Sequence, residues 1–102
     1  PKYEKNIKFS NHLYILMVDP SKTSKKRDDF IKYLRKKNII TSIHYIPIHK
    51  QPYYQKNNFK SKEFSNSNFY YDNAISLPIF PDLTKKTQEY IIDSIKSFFR
   101  MN

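Results

Sequence analysis

Two histidines and a tyrosine stand close together in the stretch TSIHYIPIH, residues 41–49, around a proline. The chain has 3 histidines, and two of them, His44 and His49, fall within this stretch. Imidazole and phenol groups donate and accept hydrogen bonds, and they also present flat apolar faces. Such a cluster occurs in metal sites, in catalytic pairs, in ligand pockets and at packed strand ends.

A metal site and a nucleophilic triad are both poorly supported. Metal ions need several converging ligands, whereas no Asp or Glu lies within ten positions of either histidine. The chain has no cysteine, which excludes thiolate ligands, disulfides and a cysteine nucleophile. It also has no glycine, so it carries neither a P-loop nor a dinucleotide-binding fingerprint. We therefore predict no metal site and no nucleophilic triad in this chain.

Composition bounds the class of protein. A chain of 102 residues is long enough for one domain with a modest core. The net charge is +10, but lysine supplies most of it and is scattered along the chain, whereas arginine is the residue that best recognises phosphate and bases. We therefore expect no specific nucleic-acid partner. No apolar run approaches the length needed to span a bilayer, so we expect no membrane partner. The absence of cysteine fits a reducing compartment, and we expect a cytoplasmic location.

The first half of the chain is predicted to hold a strand, a helix and a second strand. Residues 12–19 are apolar and β-branched, as in a buried strand. Possible N-cap residues follow at 21–24, and apolar side chains at helical spacing predict an amphipathic helix over 25–37. Asn38 stands where helices end in the left-handed conformation. Residues 39–45 then predict a second strand.

The second half is predicted to hold a long loop, a strand and a closing helix. Residues 47–66 show no clear period, which predicts a loop without regular structure. A short helix over 67–73 leads to a third strand over 74–80, and Pro78 indicates its end or an edge position. Thr84 is a plausible N-cap for an amphipathic helix that closes the chain.

These elements predict an α+β fold. The economical arrangement is a small three-stranded sheet with helices packed on one face. We expect residues 1–102 to form a single domain, with residues 1–11 as a linker leading into it.

Several short motifs, in this order and spacing, resemble the C-terminal small domain of the DegT/DnrJ/EryC1/StrS sugar aminotransferases, which are fold-type I enzymes that depend on pyridoxal phosphate. The family pattern runs Arg-Asp, Gly-Ile, His-Tyr-x-Pro-x-His, Ser-Leu-Pro-x-x-Pro and Leu-Thr. The matching residues here are Arg27-Asp28, Asn38-Ile39, the six residues from His44 to His49, the six from Ser76 to Pro81, and Leu83-Thr84. Asn38 departs from the usual Gly, but Asn tolerates the left-handed conformation.

The resemblance implies part of an enzyme. Family members transfer an amino group, usually from glutamate, to the keto group of a nucleotide-linked sugar for surface polysaccharide or glycan biosynthesis. The Schiff-base lysine and most phosphate contacts belong to a larger N-terminal domain, which this chain lacks. We therefore expect this chain to hold no catalytic and no cofactor-binding residue and to be inactive in isolation. We expect the pyridoxal phosphate to be bound mainly by that domain, and the full enzyme to be a homodimer.

The resemblance also implies that His44 and Tyr45 bind the nucleotide-sugar substrate, and we include His49 in the predicted substrate-binding set. The simpler alternative is that the histidines only end a strand. Two alternatives of other classes stay open, a basic and aromatic RNA-binding module and a free-standing protein-interaction domain.

Overall fold

The structure is a computed structural model that describes residues 5–57 and 61–101. Helices and a small antiparallel sheet form its regular structure, which confirms the prediction of a mixed helix and strand fold. In chain order the elements are β1 (Tyr14–Met17), α1 (Arg27–Lys36), a 3₁₀ helix (Ile48–Lys50), α2 (Pro52–Lys56), a second 3₁₀ helix (Ser61–Phe64), α3 (Ser65–Asn73), β2 (Ala74–Leu77) and α4 (Lys85–Arg100).

The sheet has two strands instead of the three that the sequence predicts. Strands β1 and β2 pair antiparallel, with Tyr14 opposite Leu77 and Met17 opposite Ala74. The predicted strand over 39–45 is wrong. It contributes an isolated bridge, in which Ser42 and Ser76 exchange both backbone hydrogen bonds, at 2.8 and 3.1 Å. In place of a third strand, the segment forms a single residue pair with the free edge of β2.

The bridge does not extend into a ladder because β2 offers no free donor on either side of it. In an antiparallel ladder, the pairs that exchange hydrogen bonds recur at every second residue. The next pairs would therefore need the N–H groups of Pro78 and Ala74. Pro78 has no N–H, and the N–H of Ala74 already donates to the carbonyl of Tyr70 at the end of α3.

The core lies between one face of the sheet and helices α1 and α4. Side chains alternate between the two faces of a strand, and the face that carries Val18 and Ile75 is the one that the helices cover. Seven buried residues form the core: Val18, Phe30, Leu34, Ile39, Ile75, Ile91 and Phe98. The rings of Phe30 and Phe98 lie 4.8 Å apart at their centroids. This arrangement leaves the opposite face of the sheet outside the helical layer.

The prediction of a buried first strand is wrong for most of β1. Leu16 is half-buried, but Tyr14, Ile15 and Met17 are exposed. Val18, directly after the strand, is the buried residue of this segment. A two-stranded sheet with helices on one side cannot cover both faces of its strands, so Ile15 and Met17 remain open on the other side. Tyr14 shares the face of Leu16 but stands at the first position of the strand, and it is exposed as well.

Helix α1 begins later than its predicted N-cap region over 21–24. Its N-cap residue is Lys26, whose side chain makes no capping hydrogen bond, while Asp28 in the first turn favours the helix dipole. Its other end follows the prediction. Asn38 has a φ of 59°, the left-handed conformation that Asn adopts more readily than most residues.

Helix α4 starts at its predicted N-cap. Strand β2 begins at the predicted residue, Ala74, but ends at Leu77 instead of residue 80. The Thr84 side chain accepts a hydrogen bond from the N–H of Thr87 at 3.2 Å, which confirms the predicted N-cap. Strand β2 stops at Leu77, directly before Pro78, as the missing donor of proline requires.

The predicted loop over 47–66 is not irregular. It contains two 3₁₀ helices and α2, and α3 begins at Ser65 instead of 67. These helices are too short to show an apolar period, and so the sequence pattern missed them. Residues 58–60 of this loop, and residues 1–4 of the predicted linker, lie outside the described residues. The linker over 1–11 stays a prediction.

Candidate functional site

His44 is held to the sheet through one ring nitrogen. Its Nδ1 atom lies 2.7 Å from the hydroxyl oxygen of Ser76, which is 32 residues further along the chain. Ser76 is buried, with 5% of its surface exposed, and the His44 ring is half-buried beside it. Since Ile75 points into the core, the alternation along β2 places Ser76 and His44 on the face opposite the helices.

The other ring nitrogen of His44 is open. Across the described residues, Nε2 makes no hydrogen bond, and no side-chain nitrogen or oxygen there is both buried and without a partner. Nε2 therefore reaches solvent. The imidazole has one nitrogen fixed by the protein and one available to a ligand.

Tyr45 packs against the His44 ring. Its side chain is 76% exposed, the most exposed of the large apolar and aromatic residues on the described surface. Its ring meets that of His44 edge to face, with the centroids 4.6 Å apart and the planes at 89°. The peptide bond that joins the two residues is cis. Together the pair presents an aromatic face, a phenol and an imidazole nitrogen to solvent.

His49 is placed differently from the other two predicted site residues. It is buried, with 6% of its surface exposed. Its Nε2 atom lies 2.8 Å from the side-chain carbonyl oxygen of Asn68, and its ring stacks on Phe64 at 4.5 Å between centroids. The structure therefore brings His44 and Tyr45 together at the surface and directs His49 into the packing against α3.

The residue after His49 strengthens the attachment to α3. The ammonium of Lys50 lies 3.3 Å from a carboxylate oxygen of Asp72 and 4.8 Å from the ring centroid of Tyr71. From the other side, the guanidinium of Arg27 donates to the Tyr71 carbonyl at 2.8 Å. Helix α3 thus binds both α1 and the 3₁₀ helix that follows the His44–Tyr45 pair. The segment between α1 and this 3₁₀ helix, which carries the pair, is therefore attached to α3 at both ends.

The sequence did not point to Ser76, Asn68 or Tyr71 as partners of the site. Ser76 stands inside the Ser-Leu-Pro-x-x-Pro motif, and a polar residue between Ile75 and Leu77 is the signal that could have singled it out. Asn68 and Tyr71 lie in a polar and aromatic helix without such a signal.

Neither a metal centre nor a membrane span is found in the residues that the structure describes. Within 5–57 and 61–101, no three His, Asp or Glu side chains are grouped as metal ligands would be. In the same ranges, no helix combines the length and the apolar character that crossing a bilayer requires.

Comparison with known proteins identifies the protein family. The model of the DegT/DnrJ/EryC1/StrS aminotransferase family matches residues 1–96. The chain belongs to this family, as its motifs predicted. It spans about a quarter of the length of the curated relatives that it matches, 27% of one and 23% of another.

Three relatives illustrate the similarity. The spore coat polysaccharide biosynthesis protein SpsC of Bacillus subtilis is 36% identical over 87% of this chain and 23% of its own length. A putative sugar aminotransferase, Spr1654 of Streptococcus pneumoniae in its PLP form, superposes with a TM-score of 0.74 and 27% identity over 84% of this chain and 22% of its own. PseC of Helicobacter pylori, an aminotransferase involved in pseudoaminic acid biosynthesis, gives a TM-score of 0.75 and 26% identity over 87% and 24%.

The described residues of this chain do not form a site for pyridoxal phosphate. That cofactor needs a lysine for its Schiff base and donors that cradle its phosphate. No described lysine is buried, and Lys50, the lysine next to the candidate site, pairs with Asp72. The chain has no glycine for a close backbone approach to phosphate.

Proposed function

We propose that this chain is the C-terminal domain of a pyridoxal-phosphate-dependent aminotransferase that acts on a nucleotide-linked keto sugar. The observation that carries the proposal is the exposed His44–Tyr45 pair, which lies within a motif of the family and is anchored to a second motif through Ser76. Family membership supports the class of reaction.

The pair has the chemistry that a sugar nucleotide requires. The free imidazole nitrogen of His44 and the phenol of Tyr45 can bond to hydroxyl or phosphate oxygens. Their rings can pack on the apolar face of a sugar or a base. His49 contributes in this proposal by fixing the segment that carries the pair. Its predicted direct contact with substrate stays a prediction.

The substrate class is inferred from relatives. SpsC is a spore coat polysaccharide biosynthesis protein, and PseC is an aminotransferase involved in the biosynthesis of pseudoaminic acid. We therefore propose a role in surface polysaccharide or glycan biosynthesis, with glutamate as amino donor. The alternatives of an RNA-binding module and a free-standing interaction domain have no comparable support.

The rest of the enzyme is part of the same proposal. A larger N-terminal domain would supply the Schiff-base lysine and the phosphate cradle, and the full enzyme would be a homodimer in the cytoplasm. The Spr1654 neighbour, described in a PLP form, supports this cofactor. The exposed apolar residues Ile15 and Met17, on the face of the sheet that carries His44, are suited to contact with that domain.

The test is a substitution in the complete enzyme. We expect His44→Ala to lower kcat/KM for the nucleotide sugar by about 10- to 100-fold, since a hydrogen bond to a charged group contributes roughly 1.5–3 kcal/mol. The first half-reaction with glutamate should change little. His12→Ala, at an exposed histidine, is the matched control.

Two outcomes would count against the proposal. One is no amino transfer to any keto nucleotide sugar by the wild-type enzyme. The other is an unchanged kcat/KM in the His44→Ala variant together with a clear loss of thermal stability, which would show that His44 only supports the fold.

A further inference from the structure

We propose that Ser76 is a positioning residue that fixes both the orientation and the tautomer of His44, so that the neutral imidazole presents a protonated Nε2 to the substrate. The inference rests on the proposed function and extends it.

Ser76 is held more firmly than a surface serine. On one side, β2 pairs it with Ile15 of β1. On the other side, its backbone exchanges two hydrogen bonds with Ser42. The residue is 5% exposed. With the backbone held on both sides and the side chain buried, the position of Oγ depends on the Cα–Cβ torsion alone, and the rotamer seen here directs it at the imidazole.

The burial of the hydroxyl decides the direction of the hydrogen bond. Oγ of Ser76 and Nδ1 of His44 lie 2.7 Å apart, a hydrogen-bond distance at which either atom can be the donor. If Nδ1 were protonated, it would donate to Oγ, and the serine proton would have no acceptor among the described residues. A buried polar group left without a partner destabilises the folded state. If Ser76 donates instead, every group is satisfied.

The proton of neutral His44 then lies on Nε2. A neutral imidazole has one N–H and one acceptor nitrogen, and the bond made at one nitrogen fixes the state of the other. Because Nε2 reaches solvent, the open edge of the ring is a hydrogen-bond donor. It selects an acceptor atom in the ligand, such as a carbonyl, hydroxyl or phosphate oxygen.

The residue type at position 76 supports this role. Serine is a weak strand former compared with the apolar neighbours Ile75 and Leu77. On the helix-covered face, Ile75 and Leu77 take part in the core. On the opposite face, a valine or isoleucine at position 76 would suit a strand. Either residue would leave Nδ1 of His44 without a hydrogen-bond donor.

Tautomer state can be measured without any substrate. Selective 15N-histidine labelling of the complete enzyme, with His44→Gln to assign the resonances, distinguishes protonated from unprotonated ring nitrogens. At a pH where His44 is neutral, we expect an unprotonated Nδ1 and a protonated Nε2. The Ser76→Ala variant should shift the Nδ1 resonance of His44. The opposite protonation in the wild type, or an unshifted Nδ1 in the variant, would overturn the inference.

Kinetics provide the second measurement. Ser76→Ala should lower kcat/KM for the nucleotide sugar by about 2- to 10-fold, the equivalent of one net hydrogen bond, and leave the half-reaction with glutamate unchanged. Ser76→Thr, which keeps the hydroxyl, should recover most of the loss. Ser94→Ala is the matched control, because Ser94 is equally buried, at 3%, but lies on α4.

The two measurements separate this inference from the proposed function. If the wild type transfers no amino group, the proposed function fails, and the resonances still decide the tautomer. If the wild type is active but Ser76→Ala matches Ser94→Ala in kcat/KM, the positioning role is wrong and the proposed function stands.

Discussion

His49 and Asn68 form a hydrogen bond at 2.8 Å across 19 residues of sequence, and Phe64 stacks on the same imidazole at 4.5 Å. This relationship ties the 3₁₀ helix beyond the His44–Tyr45 pair to α3. It makes His49 a link between the candidate site and the body of the domain.

Replacement of His49 should therefore act first on stability. His49→Ala removes a stacked ring and leaves the Asn68 carbonyl oxygen without its imidazole donor, which should lower the free energy of unfolding by about 1–3 kcal/mol. Thermal and denaturant unfolding measure this, with His12→Ala as the exposed control. Unchanged stability with a loss of substrate affinity would instead support direct contact between His49 and the substrate.

The phenol of Tyr45 should matter for substrate use and not for folding. Tyr45→Phe keeps the ring and removes only the hydroxyl, so kcat/KM for the nucleotide sugar should fall by about 3- to 10-fold, as expected for one hydrogen bond. Tyr53, which is 71% exposed against 76% for Tyr45, offers a matched Tyr53→Phe control. Equal effects of the two substitutions would contradict the assignment.

The left-handed residue after α1 permits a test in which the same substitution, Asn to Gly, is tolerated at one position and destabilising at another. Asn38 has a φ of 59°, where Ala suffers a steric penalty of roughly 1–2 kcal/mol. Asn38→Ala should reduce stability by about that amount, whereas Asn38→Gly should not. Asn57, at the end of α2, has a φ of −97°, so Asn57→Gly should destabilise through backbone entropy. Unfolding curves of the three variants would show the contrast, and a destabilising Asn38→Gly would disprove it.

The turn before α1 should respond to acid. The side chain of Ser21 and then its backbone N–H, both of which donate to Asp19, hold the pKa of that carboxyl below its ordinary value of 3.8. The folded state therefore gains stability that is fully present above the unfolded pKa and is lost as the pH falls through the lowered one.

An NMR titration of the Asp19 carboxyl, in the wild type and in Ser21→Ala, measures this effect. Loss of the serine hydroxyl should raise the titration midpoint toward the ordinary value. Equal midpoints would show that the side-chain hydrogen bond does not hold the pKa down.

Local patterns in the sequence determined the helices α1 and α4, the existence of β1 and β2, the left-handed Asn38 and the N-cap at Thr84. Each depends on residues within one or two turns of each other, where spacing and capping chemistry act directly. The order and spacing of the motifs also determined the family, and with it the pairing of His44 with Tyr45 as candidates.

Tertiary structure alone decided the rest. The segment 39–45 has the composition of a strand, yet it pairs at one residue because Pro78 has no N–H and Ala74 gives its own to α3. The partners of the two histidines, Ser76 and Asn68, are 32 and 19 residues away. Hydrogen-bonding groups that meet only after the sheet and α3 have packed leave no periodic trace in the sequence, so a histidine at the surface and one in the interior look alike until the chain folds.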